Sequence, residues 1–461
     1  MQNVYDSLYE LDRRCYELLG LSEDLLMENA ARGMKEHIKK EFAQGSSVLV
    51  VAGSGNNGAD GIALARMLHL EYSVLLFLSS EPKSEMAKLQ LLRAKKTGVK
   101  VVDKIEDADI VVDAMFGMGL TRKLEGEYPD IIKRLNSLKG YKLACDMPSG
   151  LLIDGRVSDE VFEADVTITM GAYKKALFSD LAKMYVGRIE CVEVGVSRKI
   201  YECESRCFVL EMSDLKLPLR KKSNTHKGSY GHLGVLCGEK EGASIISSLS
   251  ALSFGVGLCT IIKESKPQNL PLEVMYSDKI PSNTTAIAIG MGLGRDVQID
   301  ESILKHKLVV DADMFFNDKI EMILSRCEEV VLTPHPKEFS ELLKRCSLGE
   351  FTVKQIQEQR FALALELTQA YPNVVLVLKG ANTIIAKNDT LYINPHGTQA
   401  LAKGGSGDVL SGLIGALLAQ GYDALDAAIT ASLAHVKASI STDVNNYALM
   451  PLDIVEQIKK L

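Results

Sequence analysis

Short, unbroken apolar runs that stop at glycine-rich or polar turns recur along this chain, with helix-patterned stretches between them. Val48-Leu49-Val50-Val51-Ala52 ends in Gly53-Ser54-Gly55, and after a helical pattern from Ile62 to Leu70 comes Ser73 to Leu78. Further strand candidates fall at 99–102, 109–114 and 142–146. The second half repeats the theme at 233–237 and 258–262, then in AIAIGMGLG (286–294), LVVDADMFF (308–316), VVLTPHPKEF (330–339) and VVLVLKGANT (374–383). Continuous apolar strands are the kind a parallel sheet buries on both faces. Their alternation with helices predicts an α/β protein whose N-terminal half is a doubly wound sheet.

A chain of 461 residues is too long for one ordinary core. Residues 196–222 lose periodicity, gather charge and contain Pro218, so two units are expected, 1–207 and 208–461. With 46% hydrophobic and 25% charged residues the composition is globular. A net charge of −7 and the lack of a long basic run disfavour a nucleic-acid partner. The short Arg220-Lys221-Lys222 cluster reads as solvated linker charge. The N-terminus lacks the apolar core of a secretory signal, and no apolar run is long enough for a membrane. Nine scattered cysteines contain no CxxC pair, and Cys203 and Cys207 have no histidines beside them, so all read as free thiols. These features predict a cytoplasmic protein that acts on small molecules. They do not decide whether it forms a homo-oligomer.

The turn after Ala52 matches GxGxxG through Gly53, Gly55 and Gly58, and a dehydrogenase is the easy reading. The rest of the turn argues otherwise. Asn56-Asn57 and Asp60 crowd its tip with carboxamides and an acid, which suit ligand hydroxyls or a hard cation better than a pyrophosphate. Asp113, Asp146 with Ser149, and Tyr173-Lys174 fall at other strand ends, where open α/β sheets bind ligands. Asn57, Asp113 and Ser149 offer only oxygen donors, which excludes a zinc-type site.

LMENAARGM (26–34), GSGNNGADG (53–61), VDAMFGMGLTR (112–122) and DMPSG (146–150) together resemble the NAD(P)H-hydrate epimerase family, with a Rossmann-like sheet. The resemblance implies a potassium ion on Asn57, Asp113 and Ser149. It also implies a substrate cleft lined by Asn56, Asn57, Gly58, Ala59 and Asp60, by Gly117, Met118, Gly119, Leu120, Thr121, Arg122 and Lys123, and by Asp146. The substrate would be NADH or NADPH with water added to the ring. Its C6 carries both oxygen and ring nitrogen, so modest acid–base help can exchange the configuration. Asp146 is the candidate for that help, or else it only hydrogen-bonds the ribose or ring. Ala59 stands where the family usually has glycine. A positive φ there would strain alanine and weaken the activity.

Near the C-terminus, Gly404-Gly405-Ser406-Gly407-Asp408 opens directly onto an apolar helical pattern, Val409 to Ala419. Glycines remove the Cβ atoms that keep a ligand off the backbone, and a helix start presents unpaired N–H donors to an anion. An acid beside such a seat makes sense as a base for a hydroxyl next to a phosphate. No Lys-Ser or Lys-Thr pair follows the glycines, so the loop is not a Walker A. His335, between Pro334 and Pro336, is held extended at a strand end and is favoured for ligand contact. Asp311 and Asp313 either bind a metal or cap the next helix. The serines at 247, 248 and 250 are read as close helix packing.

HKGSYGH, GMGLG, VDAD, TPHPKEF, VLKGANT and AKGGSGDVLSG together look like the ADP/ATP-dependent NAD(P)H-hydrate dehydratase family, which is ribokinase-like in fold. Met291 replaces a usual proline and Lys337 a usual glycine. The resemblance implies that Lys379, Gly380, Ala381, Asn382, Thr383, Gly405, Ser406 and Gly407 contact the nucleotide, and that Ala243, Gly294, His335 and Asp408 contact the hydrate. Asp408 would remove the hydroxyl proton. Magnesium would accompany ADP or ATP, with ADP the expected donor. Two other classes share parts of this pattern: a ribokinase-like kinase of small alcohols, and a non-catalytic binding role for the N-terminal half.

Overall fold

The computed structural model describes residues 1–295 and 297–461. The chain divides into two compact units, Gln2–Cys207 and Phe208–Leu461, with Met1 counted in the second. All nine cysteines are free thiols. Among the described residues no helix is long and apolar enough to cross a membrane.

In the first unit, helices α1 (Tyr9–Leu18) and α2 (Glu23–Glu41) precede the sheet, and Ser22 caps α2 by accepting from the Leu25 N–H. The sheet contains β1 (Ser47–Ala52), β2 (Ser73–Leu78), β3 (Lys100–Val102), β4 (Ile110–Ala114), β5 (Tyr141–Cys145), β6 (Val166–Met170) and β7 (Arg188–Val192), in the spatial order β3-β2-β1-β4-β5-β6-β7. Every neighbouring pair is parallel. The winding reverses between β1 and β4, which opens a crevice at their carboxyl ends. Val48, Val50, Val112 and Leu143 face one apolar layer, and Leu49, Val51, Val111 and Ala144 face the other. This burial on both faces is what the unbroken apolar runs require.

The sequence predicts a loop from Asn56 with a helix beginning near Ile62; the helix α3 in fact spans Asn56–Leu68. Asn56, Asn57 and Asp60 therefore sit on its opening turns. Ala59 lies inside α3, fully buried, and is not among the residues with positive φ. The anticipated backbone strain at Ala59 does not arise.

The second unit holds β8 (His232–Leu236), β9 (Leu258–Ile262), β10 (Met275–Ser277), β11 (Ala286–Ile289), β12 (Lys307–Val310), β13 (Val330–Leu332), β14 (Val374–Leu378), β15 (Thr383–Lys387) and β16 (Thr390–Asn394). Their order is β10-β9-β8-β11-β12-β13-β14-β15-β16, parallel as far as β14 and antiparallel beyond. Four helices matter for the site: α4 (Glu241–Ser253), α5 (Pro336–Arg345), α6 (Ser406–Ala419) and α7 (Ala424–Ile440). Helix α6 is apolar on nearly every face because it lies between the sheet and other helices. Ser247, Ser248 and Ser250 are fully buried, and a side chain at Gly412 would strike the Ser247 carbonyl. The small residues thus serve close packing of α4 on α6.

Candidate functional site

In the first unit a cavity of about 440 Å³ opens at the β1–β4 crevice. Asn56, Asn57 and Asp60 line it from α3, Gly117 to Leu120 from the loop after β4, and Asp146 from the end of β5. Gly53 admits that β4 loop, since a Cβ there would run into the Met115 carbonyl. Gly58 and Ala59 are buried in α3 and do not line the cavity. Thr121, Arg122 and Lys123 are exposed and also lie outside the lining, with Lys123 paired to Asp159 at 2.5 Å. Those three expected substrate contacts are not brought to the site. The chain turns out to solvent after Leu120, and a charged run offered no signal of that turn.

Asp146 has a φ of +69°, a conformation that costs a non-glycine residue energy and that its surroundings must enforce. Lys174, 1% exposed, donates to Asp146 Oδ1 at 2.5 Å and to Thr169 Oγ1 at 2.8 Å. The Met170 N–H adds a longer bond at 3.3 Å. Sequence reasoning flagged Tyr173-Lys174 only as a polar cluster, and it missed the contribution of α1 altogether. Tyr9, Asp12 and Tyr16 of α1 line the cavity, as do Glu23 and Tyr201. Tyr201 donates to Asp12 Oδ1 at 2.7 Å. Burial raises the Asp12 carboxyl above its usual range, with the Tyr201 bond opposing. Asp60 is raised well above that range, first by burial and then by Asp146 and Asp12.

Behind the cavity, Asp113 is completely buried in β4 and accepts from the Ser149 N–H and Oγ, both at 2.7 Å. Burial pushes its carboxyl up to about 6. Both polar atoms of the Asn57 side chain are buried with no hydrogen-bond partner among the described residues. A Cβ at Gly117 would lie 2.9 Å from Asn57 Oδ1 and 2.9 Å from Asp146 Oδ2, so this glycine lets both oxygens approach the loop.

In the second unit the start of α6 carries the chemistry. Gly405 is its N-cap with φ +88°, a left-handed position natural to glycine. Asp408 lies in the first turn, and burial, reinforced by Asp311, pushes its carboxyl up to about 6. Lys379, just after β14, donates to Asp311 Oδ1 at 2.9 Å and lies 3.8 Å from Glu338. Its Nζ would sit 3.3 Å from a Cβ on Gly407, which places the ammonium against the glycine seat. Burial pulls Lys379 down, but Asp311 and Glu338 outweigh it and its net direction is upward. Glu338 is pushed up to about 7 by burial despite Lys379. Ser406 is buried, and its Oγ meets His435 Nε2 at 3.2 Å; burial takes that imidazole down to about 4.

The remaining expected contacts fall around this seat or beside it. Gly380 and Ala381 form the turn that Lys379 begins, Asn382 is buried, and Thr383 opens β15. Ala243 and Gly294 lie at the β8–β11 reversal, where the Gly294 N–H donates to Asp313 Oδ2 at 3.0 Å. Asp311 accepts from the Ala312 N–H, so the capping reading of that residue holds, and it also takes the bonds from Lys379 and Ser411. His335 proves to be the N-cap of α5: its Nδ1 accepts from the Glu338 N–H at 3.2 Å, while its ring remains about half exposed. No group of three His, Cys, Asp or Glu among the described residues is placed to hold a metal by itself.

Known families match both halves of the chain. The family described as NAD(P)H-hydrate dehydratase matches residues 233–460, and that described as YjeF-related protein N-terminus matches 23–176. The bifunctional NAD(P)H-hydrate repair enzyme Nnr of Helicobacter pylori is 44% identical over 473 residues, covering 100% of each chain. The enzyme of the same name from Archaeoglobus fulgidus is 30% identical, covering 97% of this chain and 96% of its own. The solved ADP/ATP-dependent NAD(P)H-hydrate dehydratase of Bacillus subtilis, co-crystallised with ATP and Mg2+, is 27% identical with a TM-score of 0.44, covering 52% of this chain and 92% of that one. With full-length identity of this order over two matched halves, the chain belongs to the family of bifunctional NAD(P)H-hydrate repair enzymes.

Proposed function

We propose that the two repair activities divide between the two units. The Gln2–Cys207 unit interconverts the R and S hydrates of NADH or NADPH. The Phe208–Leu461 unit dehydrates the S form, with ADP as phosphoryl donor. The observation that carries the second assignment is Asp408 beside a glycine seat backed by the Lys379 ammonium.

Hydroxide leaves a carbon poorly, and a phosphate ester leaves well. Asp408 removes the proton from the hydrate's C6 hydroxyl as that oxygen attacks the terminal phosphoryl group of ADP, releasing AMP. The N–H groups of Gly405 and Gly407, with Lys379, hold the transferring oxygens, while that of Ser406 donates to the Lys403 carbonyl at 3.2 Å. The ring nitrogen then expels phosphate and the ring loses a proton, which restores the dihydropyridine. Lys379 to Thr383 contact the nucleotide, and Ala243, Gly294 and His335 the hydrate. Asp311 and Glu338 are hard oxygen donors near the seat that would help hold a magnesium ion, whose charge would offset that of the phosphates; among the described residues no cluster of three His, Cys, Asp or Glu would hold it alone.

In the first unit Asn56, Asn57, Asp60, Gly117 to Leu120 and Asp146 bind the hydrate, and Asp146 handles protons at C6. The donors at Asn57, Asp113 and Ser149 fit a potassium ion. Asn57 Oδ1 is buried and unpartnered, and Asp113 is a buried carboxyl with no cation beside it among the described residues. Such an ion would neutralise Asp113 and tie α3 to the β4 and β5 loops.

Product analysis tests the dehydratase assignment. Purified S hydrate, ADP and Mg2+ should give NADH, AMP and free orthophosphate in equal amounts. A product that keeps the phosphate would replace this reading with that of a small-alcohol kinase.

A further inference from the structure

Resting on that epimerase reading, we infer that Asp60 is a second catalytic carboxyl of the cavity, delivering the proton to the departing C6 oxygen while Asp146 serves the opposite event. Asp60 lies one helical turn beyond Asn57, so α3 turns both side chains to the cavity. Lys174 is the sole cation among the described residues lining it, and it is engaged by Asp146 and Thr169. No donor among the described residues hydrogen-bonds the Asp60 carboxyl, and the Lys174 charge only partly offsets the carboxylates around it.

The charged and titratable groups around it are Tyr9, Asp12 and Tyr16 from α1, Glu23 from α2, the buried Cys145 thiol at the end of β5 with Asp146 after it, and Lys174 with Tyr201 from beyond β6. Desolvation favours the neutral acid at Asp60, and three carboxyls against one committed ammonium act in the same direction. The same surplus of carboxyls favours a cationic species in the cavity. Two carboxyls in unlike surroundings then divide acid and base work.

The step balances. The Asp60 carboxylic acid gives its proton to the C6 hydroxyl, the C6–O bond breaks, and the N1 lone pair forms an N1=C6 iminium as water leaves. A water adds to the other face of C6 and gives its extra proton to the Asp146 carboxylate. The configuration is inverted, one carboxyl has lost a proton and the other has gained one, and exchange with solvent resets the pair. The reverse reaction exchanges the two roles.

The test uses the full chain without ADP, following conversion of purified R hydrate to S by chromatography with the spontaneous rate subtracted. In Asp60→Asn, kcat should fall about 100-fold or more with KM changed less than about threefold. In the parent, the rate should decline as pH rises and Asp60 loses its proton, and that limb should vanish in Asp60→Asn. Asp60→Glu should restore part of the rate with the limb displaced. Removing a carboxyl crowded by other carboxyls should also raise the melting temperature of Asp60→Asn at neutral pH, which a merely structural role would lower. ADP-dependent dehydration of purified S hydrate should not change, which shows that the chain is folded. Parent epimerase activity retained in Asp60→Asn with the same pH profile, or a change in KM alone, overturns the role. Absence of epimerisation in the parent overturns the epimerase reading beneath it.

Discussion

Lys174 is the point at which the first site's stability and chemistry meet, and Lys174→Met isolates it. The ammonium is 1% exposed and its partner carboxylate 12% exposed, with N–O at 2.5 Å. Replacing a buried ion pair with apolar groups can be neutral, whereas removing one partner strands the other and costs about 3–5 kcal/mol. Methionine keeps most of the volume, so packing loss is small and the stranded Asp146 dominates. Asp12 and Asp60 sharpen the loss, since Lys174 is the cation that opposes their mutual repulsion. At about 1.4 kcal/mol per factor of ten, the amides of β5 and β6 should exchange hydrogen roughly a hundredfold to a few thousandfold faster in the variant, read by mass spectrometry on peptides spanning 141–170.

The pH dependence has a definite sign. Burial raises the folded-state proton affinities of Asp12 and Asp60, and Lys174 opposes that rise; its loss raises them further, so the variant gains more folded-state stability than the parent as pH falls through that range. The deficit of Lys174→Met should therefore shrink between neutrality and about pH 5. Exchange within about threefold of the parent at neutrality, or a deficit that grows on acidification, would refute the reasoning.

Asp408→Asn should reduce ADP-dependent dehydration by about a hundredfold or more and leave epimerisation intact. In the parent, dehydration should rise with pH through about 6 as this base loses its proton, measured as initial rate on S hydrate. Ala59→Gly, the change toward the usual family residue, should cost about 1 kcal/mol without raising epimerase activity, because Ala59 sits inside a helix; thermal denaturation and the R-to-S rate check both halves. Potassium should raise the melting temperature of the parent more than an equal concentration of a large organic cation, and Asp113→Asn should abolish the difference.

The unbroken apolar runs were legible because a parallel sheet covered on both faces leaves no polar side to its strands; Val48 to Ala52 and Val374 to Leu378 show this directly. The seat at Gly405–Asp408 was legible because a helix start and a left-handed glycine leave a local signature. The beginning of α3 was not. Two asparagines and a glycine have poor helix propensity, yet the Gly53 turn and burial of Ala59 between α2 and the next helix impose the helix from Asn56 onward. The capping role of His335 was hidden by its flanking prolines, which fix its backbone without saying which way its ring nitrogens point. The α1 wall was invisible for another reason. Asp12 meets Tyr201 across 189 residues, and no local pattern encodes a contact of that range.

The most direct measurement is recovery of the dihydropyridine absorbance from a mixed R and S NADH-hydrate sample given ADP and Mg2+. Recovery should run past the S fraction to completion, faster than spontaneous epimerisation allows. Asp408→Asn should abolish it, and Asp146→Asn should stop it at the S fraction. No recovery with either ADP or ATP, or full recovery in Asp408→Asn, would contradict the account.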